Sequence, residues 1–161
     1  MRPSAPFCGP LLGIVLHCSG PTLPSSAQVA RLKAAGVSAI IAEDQTKAMI
    51  EGLPVIDSRA EAILVDGTRW SWIRGDRATL IELASAARTR YIATLPCGGA
   101  QSVSSLSRSC LLAWQLKSLR CSAIVLPWSE LEVAARSGGW DCITQQLLRM
   151  RESEMTMIHG G

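Results

Sequence analysis

The sequence predicts an α/β domain built on a mostly parallel, open sheet of about six strands between two helical layers, a doubly wound, Rossmann-like arrangement. Three observations lead there. Short aliphatic runs alternate with helix-patterned segments along the whole chain. The runs lack the polar alternation of a half-solvated strand, so they read as strands covered on both faces. Strand-helix-strand units then close into a barrel or stay open, and an eight-unit barrel needs roughly 200 residues or more. The chain has 161 residues, so the open sheet is the expectation.

Taken in order, the predicted strands are 12–17, 37–42, 54–57, 62–66, 91–95 and 122–126. Between them lies helix punctuation. Ser25 with Gln28 has the spacing of a capping box, opening a helix that runs through Leu32 and stops at Gly36. Thr79 with Glu82 and Ser129 with Glu132 repeat that spacing, while Gln101 or Ser102 opens a longer helix through Lys117. Within the latter, Leu106, Cys110, Ala113 and Trp114 fall on one apolar stripe, and a last helix spans 141–152.

An internal echo accompanies this pattern. Residues 32–41 and 116–125 share Leu-Lys, four free positions, then Ser-Ala-Ile, and each copy follows a strand, a Cys-x-Gly loop and a helix. Both a βαβα duplication and the shared grammar of such units account for it.

With 48% hydrophobic residues, 18% charged and a net charge of +3, the composition excludes a disordered tail or a polybasic arm. No apolar run reaches the ~18 residues of a membrane span. The chain reads as one domain over 1–161, with loose ends at 1–10 and 154–161. Arg2 followed by residues 7–16 has the outline of a short signal peptide, but no small-residue cleavage site follows, and 12–17 serves better as the first strand. Six irregularly spaced cysteines without a C-x-x-C pair argue against zinc and for buried, reduced thiols in a cytoplasmic setting.

Ligands in open α/β sheets bind beyond the carboxyl ends of the strands, so the residues expected there carry the functional reading. After the first strand come His17, Cys18, Ser19, Gly20 and Thr22; after the fifth come Cys97, Gly98, Gly99, Gln101 and Ser102. Small residues leading into a helix start expose N–H groups at a positive dipole end, which suits phosphate. Ser19, Gly20, Thr22, Gly98, Gly99, Gln101 and Ser102 are therefore expected to hold a phosphate-bearing ligand, such as a nucleotide.

Cys18 in that setting is a candidate nucleophile, since a helix N-terminus lowers a thiol's pKa. The loop resembles, in outline, that of cysteine phosphatases and rhodaneses. It departs from them where they place an Arg six residues after the Cys, because this chain has Pro24 there. Asp57 and Asp66, expected at strand ends, are candidate Mg²⁺ ligands, and with the metal the reading sharpens to a phosphoester enzyme.

Two alternatives belong to other classes. Arg69, Trp70, Trp72 and Arg74 interleave cations with aromatics, a composition that stacks bases and holds phosphates in nucleic-acid binders. Trp70 and Trp72 share a face if this stretch is extended, which equally suits a strand packed on the core. A non-enzymatic interaction module is the other, with Trp128 and Trp140 as interface anchors. Charge is unevenly spread as well. Residues 83–129 contain Arg88, Arg90, Arg108, Lys117 and Arg120 and no acidic residue, a field that draws anions.

Overall fold

The computed structural model describes residues 13–19, 23–42, 49–59, 62–65, 67–95 and 103–151. In chain order the elements are β1 (Gly13–Cys18), α1 (Ser26–Ala34), β2 (Val37–Ala42), β3 (Met49–Ile50), β4 (Leu53–Pro54), β5 (Asp57–Arg59) and β6 (Ala62–Val65). There follow β7 (Thr68–Ile73), α2 (Arg77–Ala86), β8 (Tyr91–Thr94), α3 (Val103–Ser118), β9 (Ala123–Pro127), α4 (Trp128–Gly138) and α5 (Trp140–Arg151). Seven strands form one mixed sheet in the order β2-β1-β9-β8-β7-β6-β5, and β3 with β4 makes a small antiparallel hairpin. Among the described residues no helix is long and apolar enough to cross a membrane. The two expected loose ends, 1–10 and 154–161, lie outside the described residues.

The open three-layer sheet of six mostly parallel strands is not what forms. Strands β2, β1, β9, β8 and β7 do run parallel, but β6 is antiparallel to β7 and β5 antiparallel to β6. The reversal comes from the residues after Asp66. Gly67 takes φ 78°, a left-handed turn position that costs glycine little, and the Arg/Trp stretch beyond it extends as β7 beside β6.

A second cause lies just before β5. Val55 bridges Ile40 of β2, and the Ile56 N–H donates to the Ile40 carbonyl at 2.8 Å, while 57–59 pair with β6. One short stretch of chain therefore bonds to both edge regions of the sheet, which curls nearly into a barrel.

Helix placement follows from the same strand order. The steps β1 to β2, β7 to β8 and β8 to β9 all move one strand in the same direction, so right-handed crossovers leave α1, α2 and α3 on one face. A doubly wound sheet needs the order to reverse at some point so that helices reach the second face. Here the buried residues form two clusters. One joins outward strand residues such as Ile14, Leu16 and Ile124 to helix residues such as Leu32, Leu80, Leu116 and Leu147. The other holds no residue of a helix: Val15, Ile41, Ile56, Ile63, Ile92 and Val125 meet Trp70 and Trp72 inside the curled sheet. Each indole hides on the order of 200 Å², enough to stabilise the interior by about 5 kcal/mol at the usual area coefficient.

Local punctuation agrees in part. The Ser25–Gln28 box forms with both bonds in place. At α2 the cap is Asp76, whose carboxylate accepts the Thr79 N–H at 2.8 Å, and that bond holds the carboxyl below its ordinary range. Ser129 does not cap α4: the helix begins one residue earlier, straight out of β9, with Pro127 at the cap position and no side-chain cap bond.

Candidate functional site

Alternation along β1 decides the fates of two adjacent residues. Val15 faces the interior while Leu16 and Cys18 face the helices, so His17 turns inward. Its ring meets the Trp72 indole edge-on, with centroids 5.0 Å apart and planes at 85°. Trp72 comes from β7 and is 3% exposed. The indole N–H donates to Thr94 Oγ1 at 2.7 Å, tying β7 to the last residue of β8. Just past the end of β7, the Arg74 guanidinium lies over the same indole, 3.7 Å from its centroid.

These four residues share one rim because their strands are parallel. His17 is the penultimate residue of β1, Thr94 ends β8, Arg74 follows β7, and Pro127, paired with His17, ends β9. The deeper interior is aliphatic and indole. Polar groups thus gather at the carboxyl end of the barrel-like interior, with the uncapped start of α4 directly after Pro127. An imidazole, a hydroxyl and a guanidinium around one indole make a set suited to a small anion. In sheets of parallel strands this end is where ligands are met.

Of the residues the sequence names for phosphate, metal or catalysis, Cys18, Ser19 and Asp57 are among the described ones. Cys18 is 1% exposed and packed beneath the helices, and burial pushes its thiol up to about 12, away from a nucleophilic thiolate. Ser19 is exposed, directly after β1. Asp57 opens β5 instead of closing a strand; it follows the inward Ile56 and is exposed, so its carboxylate points out of the interior. Asp66, Gly20, Thr22, Cys97, Gly98, Gly99, Gln101 and Ser102 lie outside the described residues. Among the described residues no group of three His, Cys, Asp or Glu is arranged to hold a metal.

Trp70 and Trp72 do share a face, but it is the interior one, and Trp70 is also 3% exposed. Neither indole is open for a base to stack on. Arg69 is exposed on the outside of β7, and the Arg90 guanidinium lies 5.4 Å from the Trp70 centroid. Trp128, named as an interface anchor, is 2% exposed and stacks on the half-buried Trp140, centroids 6.3 Å apart. Its indole N–H finds no acceptor among the described residues, and the Arg31 guanidinium lies over Trp140.

Thr94 escaped the sequence reading, and His17 was noticed only as a loop neighbour. The available signal was period-two alternation: a strand ending in Val-Leu-His puts His on the face of Val, and Tyr-Ile-Ala-Thr puts Thr on the face of Ile. No protein-family model, no curated protein and no solved structure matches this chain.

Proposed function

We propose that the protein binds a small phosphate-bearing ligand at the carboxyl rim of its barrel-like interior, with Arg74, His17 and Thr94 around the anion and Trp72 as the floor. The observation that carries this reading is the Arg74 guanidinium lying 3.7 Å over Trp72, an indole that also meets His17 and Thr94. Stacking on a buried indole holds the planar fork at the opening, and that fork matches two oxygens of a phosphate at once. The uncapped first turn of α4, which carries Glu130, adds N–H groups on the same rim.

In this reading the ligand's charge is met by side chains of the rim. Asp57 turns outward and brings no carboxylate for Mg²⁺ to the opening. The four described cysteines are free thiols, three of them buried, which suits a reducing, cytoplasmic setting.

Thermal-shift and equilibrium titrations with inorganic phosphate and nucleotides, with and without Mg²⁺, test the proposal. Stabilisation by a phosphate compound, independent of Mg²⁺ and weakened roughly tenfold to a hundredfold by Arg74→Ala, is the expected result. No shift with any phosphate compound, or an unchanged affinity in Arg74→Ala, overturns it.

A further inference from the structure

We infer that Thr94 is the directed hydrogen-bond donor of this rim, and that Trp72 is the positioning residue that aims it; the inference rests on the phosphate reading above. A threonine hydroxyl has one hydrogen to give and two lone pairs to receive with. An indole N–H can only donate. At 2.7 Å the Trp72 N–H therefore occupies a lone pair of Thr94 Oγ1 and leaves the hydroxyl hydrogen to go elsewhere. Among the described residues nothing accepts it.

The surroundings restrict where it can point. Thr94 is half-buried, the last residue of β8 on the inward face, one alternation step above Ile92 and paired with Val125. Both of those belong to the aliphatic interior and offer no side-chain acceptor. The described polar side chains on that rim are His17 and Arg74, both set against the same indole.

Trp72 itself has little freedom. The indole is 3% exposed, with the His17 ring against it, the Arg74 guanidinium over it and its N–H on Thr94. A hydroxyl rotor at the surface turns to suit any partner, whereas this one has one of its two lone pairs engaged before a ligand arrives. The rim accordingly favours acceptor oxygens: a phosphate oxygen takes the hydroxyl hydrogen, while a ligand donor has only the one remaining lone pair to use.

The test measures inorganic phosphate and nucleotide affinity for the full chain and for Thr94→Val, Thr94→Ser, Trp72→Phe and the Thr94→Val/Trp72→Phe double variant. The melting temperature of each free protein is recorded alongside. Thr94→Val, which keeps the shape and removes the hydroxyl, should weaken binding by about tenfold or more, while Thr94→Ser should stay close to wild type. Trp72→Phe keeps a ring under Arg74 but removes the N–H, and should weaken binding several-fold. In the Thr94→Val background the same change should cost clearly less than in the wild type, because Trp72 then has no hydroxyl to aim and only its stacking under Arg74 is altered.

Wild-type affinity in Thr94→Val overturns the inference while leaving the phosphate reading in place, provided Arg74→Ala still loses binding. Additive losses in the double variant overturn the positioning role of Trp72. No binding by the wild-type protein overturns the reading itself, and the inference with it.

Discussion

The two faces of this sheet are filled by different means. On the outer face, helices bring Leu32, Leu80, Leu116 and Leu147 down onto strand residues such as Ile14 and Ile124, and the cysteines Cys18, Cys110 and Cys121 are buried on that side. On the inner face the sheet packs against itself, with Trp70 and Trp72 supplying bulk that no helix contributes. The contrast is sharpest between neighbours. Cys18 is sealed under the helix layer, whereas His17, one residue earlier, stands at the end of the interior against Trp72. A reactive residue type on the covered face is packing material, and an unremarkable threonine on the other face holds the indole N–H of Trp72 at the strand ends.

The largest test of this contrast is Trp70→Ala. The inner face has no second layer to collapse into the void, so a loss of about 3–5 kcal/mol is expected in urea unfolding, at the upper end for aromatic truncations. A loss under about 1 kcal/mol would mean that the indole does not fill a closed interior.

Alkaline pH should act next, and on the outer face alone. Burial pushes the thiols of Cys18 and Cys121 up to about 12 and that of Cys110 to about 11, and it raises the Tyr91 phenol, helped by Cys121. A thiol that ionises near its ordinary value of 9.0 when unfolded, but later when folded, binds its proton more tightly in the folded state. Its contribution is therefore fully present below about pH 9 and is lost as the pH climbs towards 12. Urea midpoints should fall across that window, and replacing Cys18, Cys110 and Cys121 with alanine should flatten the fall. Alkylation of the folded protein should label the exposed Cys142 ahead of Cys18, Cys110 and Cys121; Cys18 labelling first would place it outside the covered layer.

Ser25→Ala is a smaller change, removing the hydroxyl that accepts the Gln28 N–H at the start of α1. Unfolding should show a cost of about 1 kcal/mol with no effect on ligand affinity. Smallest in stability is Arg74→Ala, an exposed side chain whose lost contact with the Trp72 indole should cost about 0.5–1 kcal/mol. Its effect belongs to binding, and a large stability loss would make Arg74 a structural strut instead of a rim residue.

How much of this was readable beforehand follows the range of the interactions. The α1 cap was legible because Ser25 and Gln28 satisfy each other across three residues. The bounds of β2 were legible because Val37–Ala42 is aliphatic and flanked by punctuation. The stretch 69–74 carries two readings in the sequence, since the pattern Arg-Trp-Ser-Trp is the same for a base-stacking strip and for a strand with one buried face. Only the pairing of 68–73 with both β6 and β8 separates the two.

By itself the sequence determined the helices, most of the strands and the parallel strand-helix-strand grammar, because hydrophobic period and capping act within a few residues. Tertiary structure alone decided that the sheet curls, since closure depends on Val55 and Ile56 meeting Ile40 while 57–59 pair with β6. It also decided the candidate site. His17, Trp72, Arg74 and Thr94 are spread over some eighty residues of chain, and no local pattern shows that three strand ends will bring an imidazole, a guanidinium and a hydroxyl onto one indole. Strand order and the side-chain alternation of each strand place them there, and both are settled only when the sheet forms.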